Sequence, residues 1–524
     1  MQLRDGTGCG VDGTGQHATP IIRAIKEYID KDTKRFHVPG HKGGGKPVIT
    51  GSDQVERLIA HSLLGDVTEL PGLDDLHAPE GAIKEAQHLA ARAFGADETF
   101  FIVNGSTCAI QSAILAVSGP GCKIAVSRDV HKAVIGGLIL AGAYPVYIDV
   151  EVDKEFQIPL GPTPDSLKHV LDKHPDVRAV VFTNPNYYGI SPRVDLLVAL
   201  IHDYDKIAII DEAHGAHLPF HDDLPLSGLE VGADLVISGA HKTLPAMTQT
   251  SLLHRTGGKV PDEDISRALK VIETASPSYI LMASLDIARK IAATKGHELL
   301  GRVIHAARKA QSRLNRSAGV RCLTEEDVVG KGFRHDPTKL VVSLDSIHMT
   351  GFEVARTLRE KCRTEVEFAD IVNIIAVLTM VDNEQEILAF ADAIREIAIT
   401  EDKRHERIIA EGCATSGKTC TKSDKRCEGR GIEPVLPDFS SVLEETPKQV
   451  MTPREAMFAT WEQVELERAV GRVSADTVVA YPPGIILVCP GQEITGRMTD
   501  FMIHAASCGV QFHGVKDDCV LVVR

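Results

Sequence analysis

Two short apolar runs of the chain enclose the segment Ser238-Gly239-Ala240-His241-Lys242-Thr243-Leu244-Pro245-Ala246-Met247-Thr248-Gln249. The run before it, Leu235–Ser238, and the run after it, Thr250–His254, have the length and the branched side chains of buried strands. Lys242 therefore stands in a turn of small residues between two strands, an unexpected place for a solvated lysine. In such surroundings a lysine amine loses its proton more easily and readily forms a Schiff base with a carbonyl group.

The same pattern of short apolar runs recurs along the first half of the chain. Segments of helical length, such as Ala109–Ser118 and Asp195–Tyr204, separate several of these runs. Such an alternation is typical of a mainly parallel sheet that is covered on both faces, with its ligand beyond the carboxyl ends of the strands. The sequence therefore predicts an α/β fold with the strands Thr99–Val103, Lys123–Val126, Pro145–Asp149, Ala179–Thr183, Ile207–Asp211, Leu235–Ser238 and Thr250–His254.

The segment Asn104-Gly105-Ser106-Thr107 follows the first of these strands and precedes a helix. Gly105 lets the backbone approach a ligand closely, and the hydroxyls of Ser106 and Thr107 complement the free N–H groups at a helix N-terminus. The segment thus has the composition of a phosphate-binding turn. An ordinary N-cap is the alternative, because serine and threonine are favoured there in any helix.

Two further polar segments follow predicted strands. His131 comes shortly after the second strand, and a surface turn with an incidental histidine is the alternative interpretation. Asp211 ends a buried strand, where an unpaired carboxylate is costly and needs a metal, a cationic ring or an arginine as its partner. Asp211, His214 and His217 are close in sequence, but they leave a strand for a loop and lack the helical HExxH spacing. We therefore predict no metal site.

A phosphate-binding turn, an aspartate and a Schiff-base lysine, in this chain order, are the parts that pyridoxal phosphate requires. This cofactor is held through its phosphate, and a carboxylate at its pyridine nitrogen tunes it as an electron sink. The turn at 105–107, Asp211 and Lys242 therefore predict a pyridoxal-phosphate site at the carboxyl edge of the sheet.

The segment around Lys242 resembles the lysine signature of the ornithine/lysine/arginine decarboxylase family, which has the aspartate-aminotransferase fold. Further segments that match the family are Phe36-His37-Val38-Pro39-Gly40-His41-Lys42, Leu73-Asp74-Asp75-Leu76-His77, Asp211–His217, Ser276-Pro277-Ser278-Tyr279, Asp336-Pro337-Thr338-Lys339 and Tyr481-Pro482-Pro483-Gly484. The resemblance runs from about residue 17 to the C-terminus. Within the family, the chain resembles the short bacterial, arginine-decarboxylase-like form, which lacks an N-terminal receiver-like wing domain. The Gly-rich first sixteen residues and the Cys-bearing segment around 413–427 depart from the family pattern.

The resemblance implies a role for each candidate catalytic residue. Lys242 would hold the cofactor aldehyde until an amino acid displaces it, and Asp211 would keep the pyridine nitrogen protonated. His131 would stack on the ring face, and His214 would lie beside the ring. Either Lys242 or His241 would return a proton to Cα after CO2 leaves. The cofactor-binding residues would be Gly105, His131, Asp211, His214 and Lys242, together with Ser106, Thr107, Ser238 and His241 around the phosphate.

The implied reaction is the pyridoxal-phosphate-dependent decarboxylation of a basic L-amino acid. The short forms point first to L-arginine, with agmatine and CO2 as products that feed polyamine biosynthesis; lysine is second and ornithine third. An aminotransferase of the same fold is the rival, and Arg334 is its candidate clamp for the substrate carboxylate. A non-catalytic relative would be expected to lack Lys242 or Asp211.

The resemblance further implies a homodimer, or a larger homo-oligomer, with active sites at the subunit interface. Residues such as Ser276–Tyr279 would then act across subunits. The side chains that recognise the cationic end of the substrate should be acidic. The candidates are Glu462 and Glu465 near Trp461, and Asp74 and Asp75.

Composition excludes several other classes of protein. The chain has 57 basic and 72 acidic residues, and its formal charge of −15 opposes binding to nucleic-acid backbones. The same acidity is compatible with a small cationic substrate. There are eleven cysteines, no secretory signal and no apolar run long enough to span a membrane. These features predict a cytoplasmic protein with reduced thiols.

Shifts in composition along the chain predict an α/β large domain, a smaller α/β domain and a C-terminal module. The predicted parts are an N-terminal arm at 1–45, the large cofactor domain at 46–310, the small domain at 311–400, a linker at 401–448 and the module at 449–524. The second half is expected to contain helices at Ile280–Leu314, Phe352–Lys361, Glu384–Ile399 and after Thr452, and strands at Leu340–Leu344 and Ile371–Leu378. Cys413, Cys420 and Cys427 lack the close pairing of zinc ligands, so we favour a plain linker there.

Overall fold

The computed structural model of the chain describes residues 13–44, 53–344, 347, 349–416, 437, 439–481 and 484–524. For residues 13–14 and 405–416 it describes the backbone only. The predictions for residues 1–12, for Cys420 and Cys427, and for Pro482 and Pro483 lie outside these ranges, as does the side chain of Cys413.

Helices are distributed along the whole described chain. They are α1 (Gly13–Gln16), α2 (Pro20–Asp30), α3 (Gln54–Ser62), α4 (Ala82–Phe94), α5 (Gly105–Val117), α6 (Lys132–Ala141), α7 (Pro164–Lys173), α8 (Val194–Asp203), α9 (Ala240–Thr243), α10 (Asp262–Ile272), α11 (Tyr279–Leu314), α12 (Glu325–Val329), α13 (Gly351–Cys362), α14 (Glu384–Ser416), α15 (Phe439–Leu443), α16 (Pro453–Phe458) and α17 (Gly496–Ser507). Of these helices, none combines the length and the apolar character that a membrane crossing needs.

Strands fall into one large sheet and several small ones. They are β1 (Glu98–Ile102), β2 (Lys123–Ser127), β3 (Tyr144–Ile148), β4 (Val150–Asp153), β5 (Ile158–Pro162), β6 (Val177–Thr183), β7 (Ile190–Ser191), β8 (Ile207–Glu212), β9 (Leu235–Ser238), β10 (Ser251–Arg255), β11 (Arg321–Cys322), β12 (Arg334–His335), β13 (Lys339–Ser343), β14 (Phe368–Ala369), β15 (Asn373–Val377), β16 (Trp461–Glu465), β17 (Val478–Tyr481), β18 (Ile485–Val488), β19 (Gln511–His513), β20 (Val515–Lys516) and β21 (Cys519–Val523).

The large sheet has the strand order β1-β10-β9-β8-β6-β2-β3. The pairs from β9 to β3 are parallel, and β10 runs antiparallel to both of its neighbours. The prediction of a mainly parallel seven-stranded sheet is confirmed. All seven predicted strands are present, with ends that differ from the prediction by at most two residues.

Alternating side chains of the central strands pack against helices on the two faces of the sheet. Phe182 and Ile210 belong to an apolar cluster with residues of α2, α4, α8 and α11. Val181 and Ile209 belong to a second cluster with residues of α5, α6 and α10. Because both faces are covered, the strands are apolar throughout and polar residues are confined to their ends.

A smaller antiparallel sheet, β11-β13-β15-β14, follows in the chain. The predicted strands Leu340–Leu344 and Ile371–Leu378 correspond to β13 and β15. The end of α11 packs on this sheet together with α13 and α14. Helix α11 therefore contributes to the cores of both units and crosses the predicted boundary at residue 310.

Two segments differ from their predicted roles. The predicted arm contains α2, whose Ile21 and Ile25 are part of the large core. The predicted linker begins inside α14, which is helical to Ser416. This stretch is rich in strong helix formers and has the ion pair Arg404–Glu401 at 3.1 Å, but its sequence shows no apolar stripe.

The C-terminal residues form two three-stranded sheets, β16-β21-β20 and β18-β17-β19. Helix α16 begins as predicted after Thr452, whose side chain and Glu455 form a capping box. Arg128, at the end of β2, is buried and donates hydrogen bonds to the carbonyl oxygens of Ile486, at 3.0 Å, and Leu487. Main-chain carbonyls of the C-terminal module are thus held at the edge of the large sheet where the strands end.

His254, in β10, allows a test of core burial by pH. Its Nδ1 lies 2.8 Å from Thr99 Oγ1, and burial holds the pKa of His254 at about 3. Below pH 6.5 the unfolded chain takes up a proton that the folded chain does not, so stability falls as the pH falls. We expect the unfolding free energy lost in His254→Asn to be about 1.4 kcal/mol smaller at pH 5.5 than at pH 7.5, as measured by urea unfolding. An equal loss at both pH values would contradict the neutral, buried histidine.

Candidate active site

Lys242 lies in the single turn α9, directly after β9. Its Nζ is 3.0 Å from Nε2 of His214. Burial lowers the pKa of the Lys242 amine, and the carboxylates of Asp211 and Glu367 partly oppose this shift. Lys242 is therefore a sheltered amine that gives up its proton more easily than a surface lysine does.

Asp211 lies near the end of β8, in register with Thr183 of β6 and Ile237 of β9. It is 2% exposed, and its Oδ1 accepts a hydrogen bond from Ala213 N at 3.0 Å. Burial raises the pKa of Asp211, and the charge of Lys242 opposes this effect. Such a carboxylate would be stabilised by a cationic group bound beside it.

The N-terminus of α5 lies at the same edge of the sheet. Its N-cap Asn104 makes no side-chain cap, and Gly105 adopts a φ of +79°, which favours glycine. The Ser106 hydroxyl lies 3.0 Å from that of Ser251, which donates to the carbonyl oxygen of Ser238 at 2.9 Å. The free N–H groups of this helix end and the neighbouring hydroxyls form a cradle suited to an anion.

Gly239 keeps this cradle open. A Cβ atom at Gly239 would lie 2.4 Å from the carbonyl oxygen of Ala213 and 3.1 Å from Ser106 Oγ. Only glycine therefore allows the turn after β9 to approach both the loop after β8 and the start of α5. The carboxyl ends of β8 and β9 lie beside this anion-binding cradle, as the sequence predicts.

Two neutral histidines stand near Lys242. His131 is the N-cap of α6, where its Nδ1 accepts a hydrogen bond from Ala133 N at 3.2 Å. Burial and the charge of Lys242 lower the pKa of His131 to about 4. The same two causes place the pKa of His214 well below its ordinary value. Both rings are thus uncharged near neutral pH and can lie against an aromatic ligand.

His241 precedes Lys242 in α9. Its Nδ1 lies 2.8 Å from the carbonyl oxygen of Thr250. Because a carbonyl oxygen only accepts hydrogen bonds, Nδ1 carries the proton, and Nε2 of the neutral ring is left to accept one. A positive charge on the protonated His241 ring is one of the causes that lower the pKa of His214, so His241 is near the same site.

The loop after β6 contributes a residue that was not predicted, Tyr187. Its ring centroid is 4.9 Å from that of His214 and 6.4 Å from that of His131. Asn184 at the start of the loop donates from Nδ2 to Glu212 at 2.7 Å, and burial raises the pKa of Glu212 to about 7. Ligands bind beyond the carboxyl ends of parallel strands, and this loop begins at such an end. The same rule applied to β6 would therefore have identified Tyr187.

The small sheet contributes two further charged residues. Lys339, the first residue of β13, is fully buried, and its charge lowers the pKa of His214. Glu367, just before β14, is exposed and raises the pKa values of Lys242 and Lys339. No local sequence pattern distinguishes Glu367 from other surface glutamates, since its position depends on the packing of the small sheet on the large one.

Several predicted alternatives are engaged elsewhere. Arg334, in β12, is exposed, and its guanidinium pairs with Glu325. Asp74 accepts hydrogen bonds from the backbone N–H groups of residues 80, 81 and 83 at 2.8–2.9 Å, because it caps the start of α4. Glu462 pairs with Arg472 at 2.7 Å within the C-terminal module. These ion pairs and hydrogen bonds of Arg334, Asp74 and Glu462 argue against a direct role in substrate binding.

The remaining predicted residues lie at different places around the site. Thr107 is exposed on the first turn of α5. His217 is buried and pairs with Asp336 at 3.0 Å rather than with Asp211. In the described part of the chain no three histidine, cysteine or acidic side chains come together as metal ligands.

Comparison with known proteins agrees with this arrangement. A model of the Orn/Lys/Arg decarboxylase major domain matches residues 19–386, and a model of the C-terminal domain of the same family matches residues 439–520. The chain belongs to the Orn/Lys/Arg decarboxylase family. It is thus a decarboxylase with the fold that the sequence predicts.

Individual relatives give the same result. The chain is 36% identical to an arginine decarboxylase of Bacillus subtilis, over 97% of this chain and 98% of that one. It is 23% identical to the constitutive lysine decarboxylase of Escherichia coli, over 95% of this chain and 79% of that one. The crystal structure of the lysine decarboxylase LdcF of Francisella novicida shares the fold, with a TM-score of 0.82, 18% identity and coverage of 97% of this chain and 82% of that one.

Gly239→Ala should close the cradle. The added Cβ would meet backbone atoms, which cannot rotate away, so the segment carrying Lys242 must shift. We expect the purified variant to retain several-fold less pyridoxal phosphate per chain than the wild type after gel filtration. Gly258→Ala is the matched control, because no atom lies within 4 Å of its added Cβ. Full cofactor content in Gly239→Ala would contradict the assignment of the cradle.

Proposed function

We propose that the chain decarboxylates L-arginine to agmatine and CO2 with pyridoxal phosphate as its cofactor. The observation that carries the proposal is the sheltered amine of Lys242, placed with buried Asp211 and the open N-terminus of α5 at one edge of the sheet. Lysine is the second candidate substrate and ornithine the third. The greater identity to an arginine decarboxylase than to a lysine decarboxylase supports this order.

The residues present fit this cofactor. The N–H groups of α5, with Ser106 and the neighbouring Ser238 and His241, would hold its phosphate. Asp211 would pair with the ring nitrogen, and Lys242 would bind the aldehyde. The unpartnered, buried Nδ1 of His214 marks a polar position at the centre of the site that a ligand could satisfy. When bound, pyridoxal phosphate supplies an electron sink for the carbon atom that loses CO2.

The side chains of the chain then have distinct tasks. Asp211, which is buried and accepts few competing hydrogen bonds, would keep the ring nitrogen of the cofactor protonated. The neutral ring of His131 would lie against one face of the cofactor ring. The Lys242 amine, with its lowered pKa, would hold the aldehyde of the cofactor and, once displaced by the substrate, could return a proton to Cα. His241 is the alternative proton donor, and its Nε2 would first have to take up a second ring proton.

The cationic end of the substrate needs an acidic partner. Glu367, which directly precedes β14, favours the charged forms of both Lys242 and Lys339. It is exposed and makes no ion pair with the residues that the structure describes. We therefore assign it to the guanidinium or ammonium group of the substrate. The overall charge of −15 favours the approach of such a cation.

An aminotransferase remains the rival reaction of this fold. The arginine predicted to clamp the carboxylate of an aminotransferase substrate, Arg334, is paired with Glu325 on the surface. A decarboxylase must instead release that carboxylate. The position of Arg334 and the family membership together favour decarboxylation.

We further propose that the enzyme is a cytoplasmic homodimer whose product feeds polyamine biosynthesis. Exposed apolar side chains near the N-terminus support self-association: Phe36 is 92% exposed, and Val55, Leu58 and Ile59 of α3 are 65%, 71% and 56% exposed. A hydrodynamic mass of one chain for the holoenzyme would contradict the dimer.

Direct assay of the products tests the proposed reaction. The purified holoenzyme should release CO2 from L-arginine without any keto-acid acceptor, and more slowly from lysine and ornithine. Lys242→Ala should lose roughly 10³-fold or more of this activity, because the covalent step is lost. Lys309→Ala, which removes an exposed ion pair with Glu384, is the control and should retain it. Acceptor-dependent formation of a new amino acid, with no CO2, would contradict the proposal.

A further inference from the structure

Lys339 is a buried lysine without a defined role in the reaction described above. It is 0% exposed, and its Nζ has no hydrogen-bond partner among the residues that the structure describes. Burying an ammonium group without a partner is costly. Such a group calls for an anion that the chain itself does not provide.

The backbone directs this side chain toward the large domain. Residues 340 and 342 of β13 pack into the small-domain core, whereas Val341 packs with Tyr188 and Ile190 of the loop after β6. Because side chains alternate along a strand, Lys339 shares the face of Val341. Its Cβ and Cγ lie against Gly189, where an added Cβ would come within 2.8 Å of each.

The acidic neighbour Asp336 is already engaged. Its Oδ2 pairs with His217 at 3.0 Å, and its Oδ1 accepts hydrogen bonds from Thr338 Oγ1 at 2.7 Å and Thr338 N at 2.9 Å. Asp336 and Glu367 favour the charged form of Lys339, while Lys242 disfavours it. Lys339 thus lies among the charges of the active site, with its own hydrogen-bonding capacity unused.

The position of Lys339 relative to Lys242 identifies the anion. The phosphate cradle is at the start of α5. Lys339 instead packs against Gly189, two residues after Tyr187, whose ring centroid is 4.9 Å from that of His214. The Nε2 atom of His214 is in turn 3.0 Å from the Lys242 amine. The substrate must react where this amine stands. The α-carbon of the amino acid, and the carboxylate attached to it, therefore arrive on the side of Lys339.

We propose that Lys339 binds the α-carboxylate of the incoming amino acid. This inference rests on the proposed function, since it concerns the substrate of the same site. The contact exists before reaction and disappears when the carboxylate leaves as CO2. It therefore strengthens substrate binding without stabilising the state that follows carbon–carbon cleavage, and it should be seen in KM rather than in kcat.

Comparison of an amino acid with its own product amine isolates this contact, because agmatine is arginine without the carboxylate. In the Lys339→Met holoenzyme, KM for L-arginine should rise about 10–100-fold, the range for a lost charge-assisted hydrogen bond. The inhibition constant of agmatine should stay within about twofold, and kcat should be unchanged or higher. Lys309→Met is the matched control and should change none of these values.

Lys339→Arg keeps the cation and is the second variant, with a KM expected between those of the wild type and Lys339→Met. Equal weakening of L-arginine and agmatine binding, an unchanged KM, or loss of pyridoxal phosphate from the variant would each overturn the proposal. If Lys339→Met does not fold, Lys339→Gln provides the same comparison.

Binding of L-arginine and agmatine to the wild-type and Lys339→Met holoenzymes can also be followed by the absorbance of the cofactor, whether or not turnover follows. A wild-type enzyme that releases no CO2 from any of the three basic amino acids would refute the proposed function. Equal weakening of L-arginine and agmatine binding in Lys339→Met would instead overturn the role of Lys339.

Discussion

The burial of the Lys242 amine at the carboxyl edge of the large sheet is the constraint on which the rest of the site depends. Charged groups are costly to bury, so the chain surrounds this amine with matched partners: Asp211 supplies opposite charge, and His214 supplies a neutral nitrogen at 3.0 Å. Gly239 lets the two strand ends and the start of α5 approach closely enough for these groups to meet. The apolar strands behind them exclude water and keep the amine reactive.

Much of this arrangement could be predicted from the sequence. Seven apolar runs predicted the sheet because parallel strands that are covered on both faces have few polar residues except at their ends. The positions of Lys242, Asp211 and Ser106 at such ends followed directly. The residue roles themselves, taken from a family resemblance, stay predictions that the geometry supports.

What the sequence did not predict depends on contacts between distant parts of the chain. Glu367 and Lys339 belong to a separate sheet, and their proximity to Lys242 arises only when the two sheets pack together. Residues 401–416 appeared to be a linker because charged residues without an apolar stripe give no periodic signal, although they are good helix formers. Asp74 and Glu462 were plausible acidic partners for a substrate until their hydrogen bonds were known.

The central claim is that Lys242, and no other lysine, carries the cofactor. The most direct test is borohydride reduction of the enzyme loaded with pyridoxal phosphate, followed by mass-spectrometric mapping of the peptides. Lys339 provides a stringent internal comparison, because it is fully buried and, like Lys242, is a lysine with a lowered pKa. We expect a phosphopyridoxyl group on the peptide that contains Lys242. Its attachment to Lys339, or to no lysine, would contradict the account.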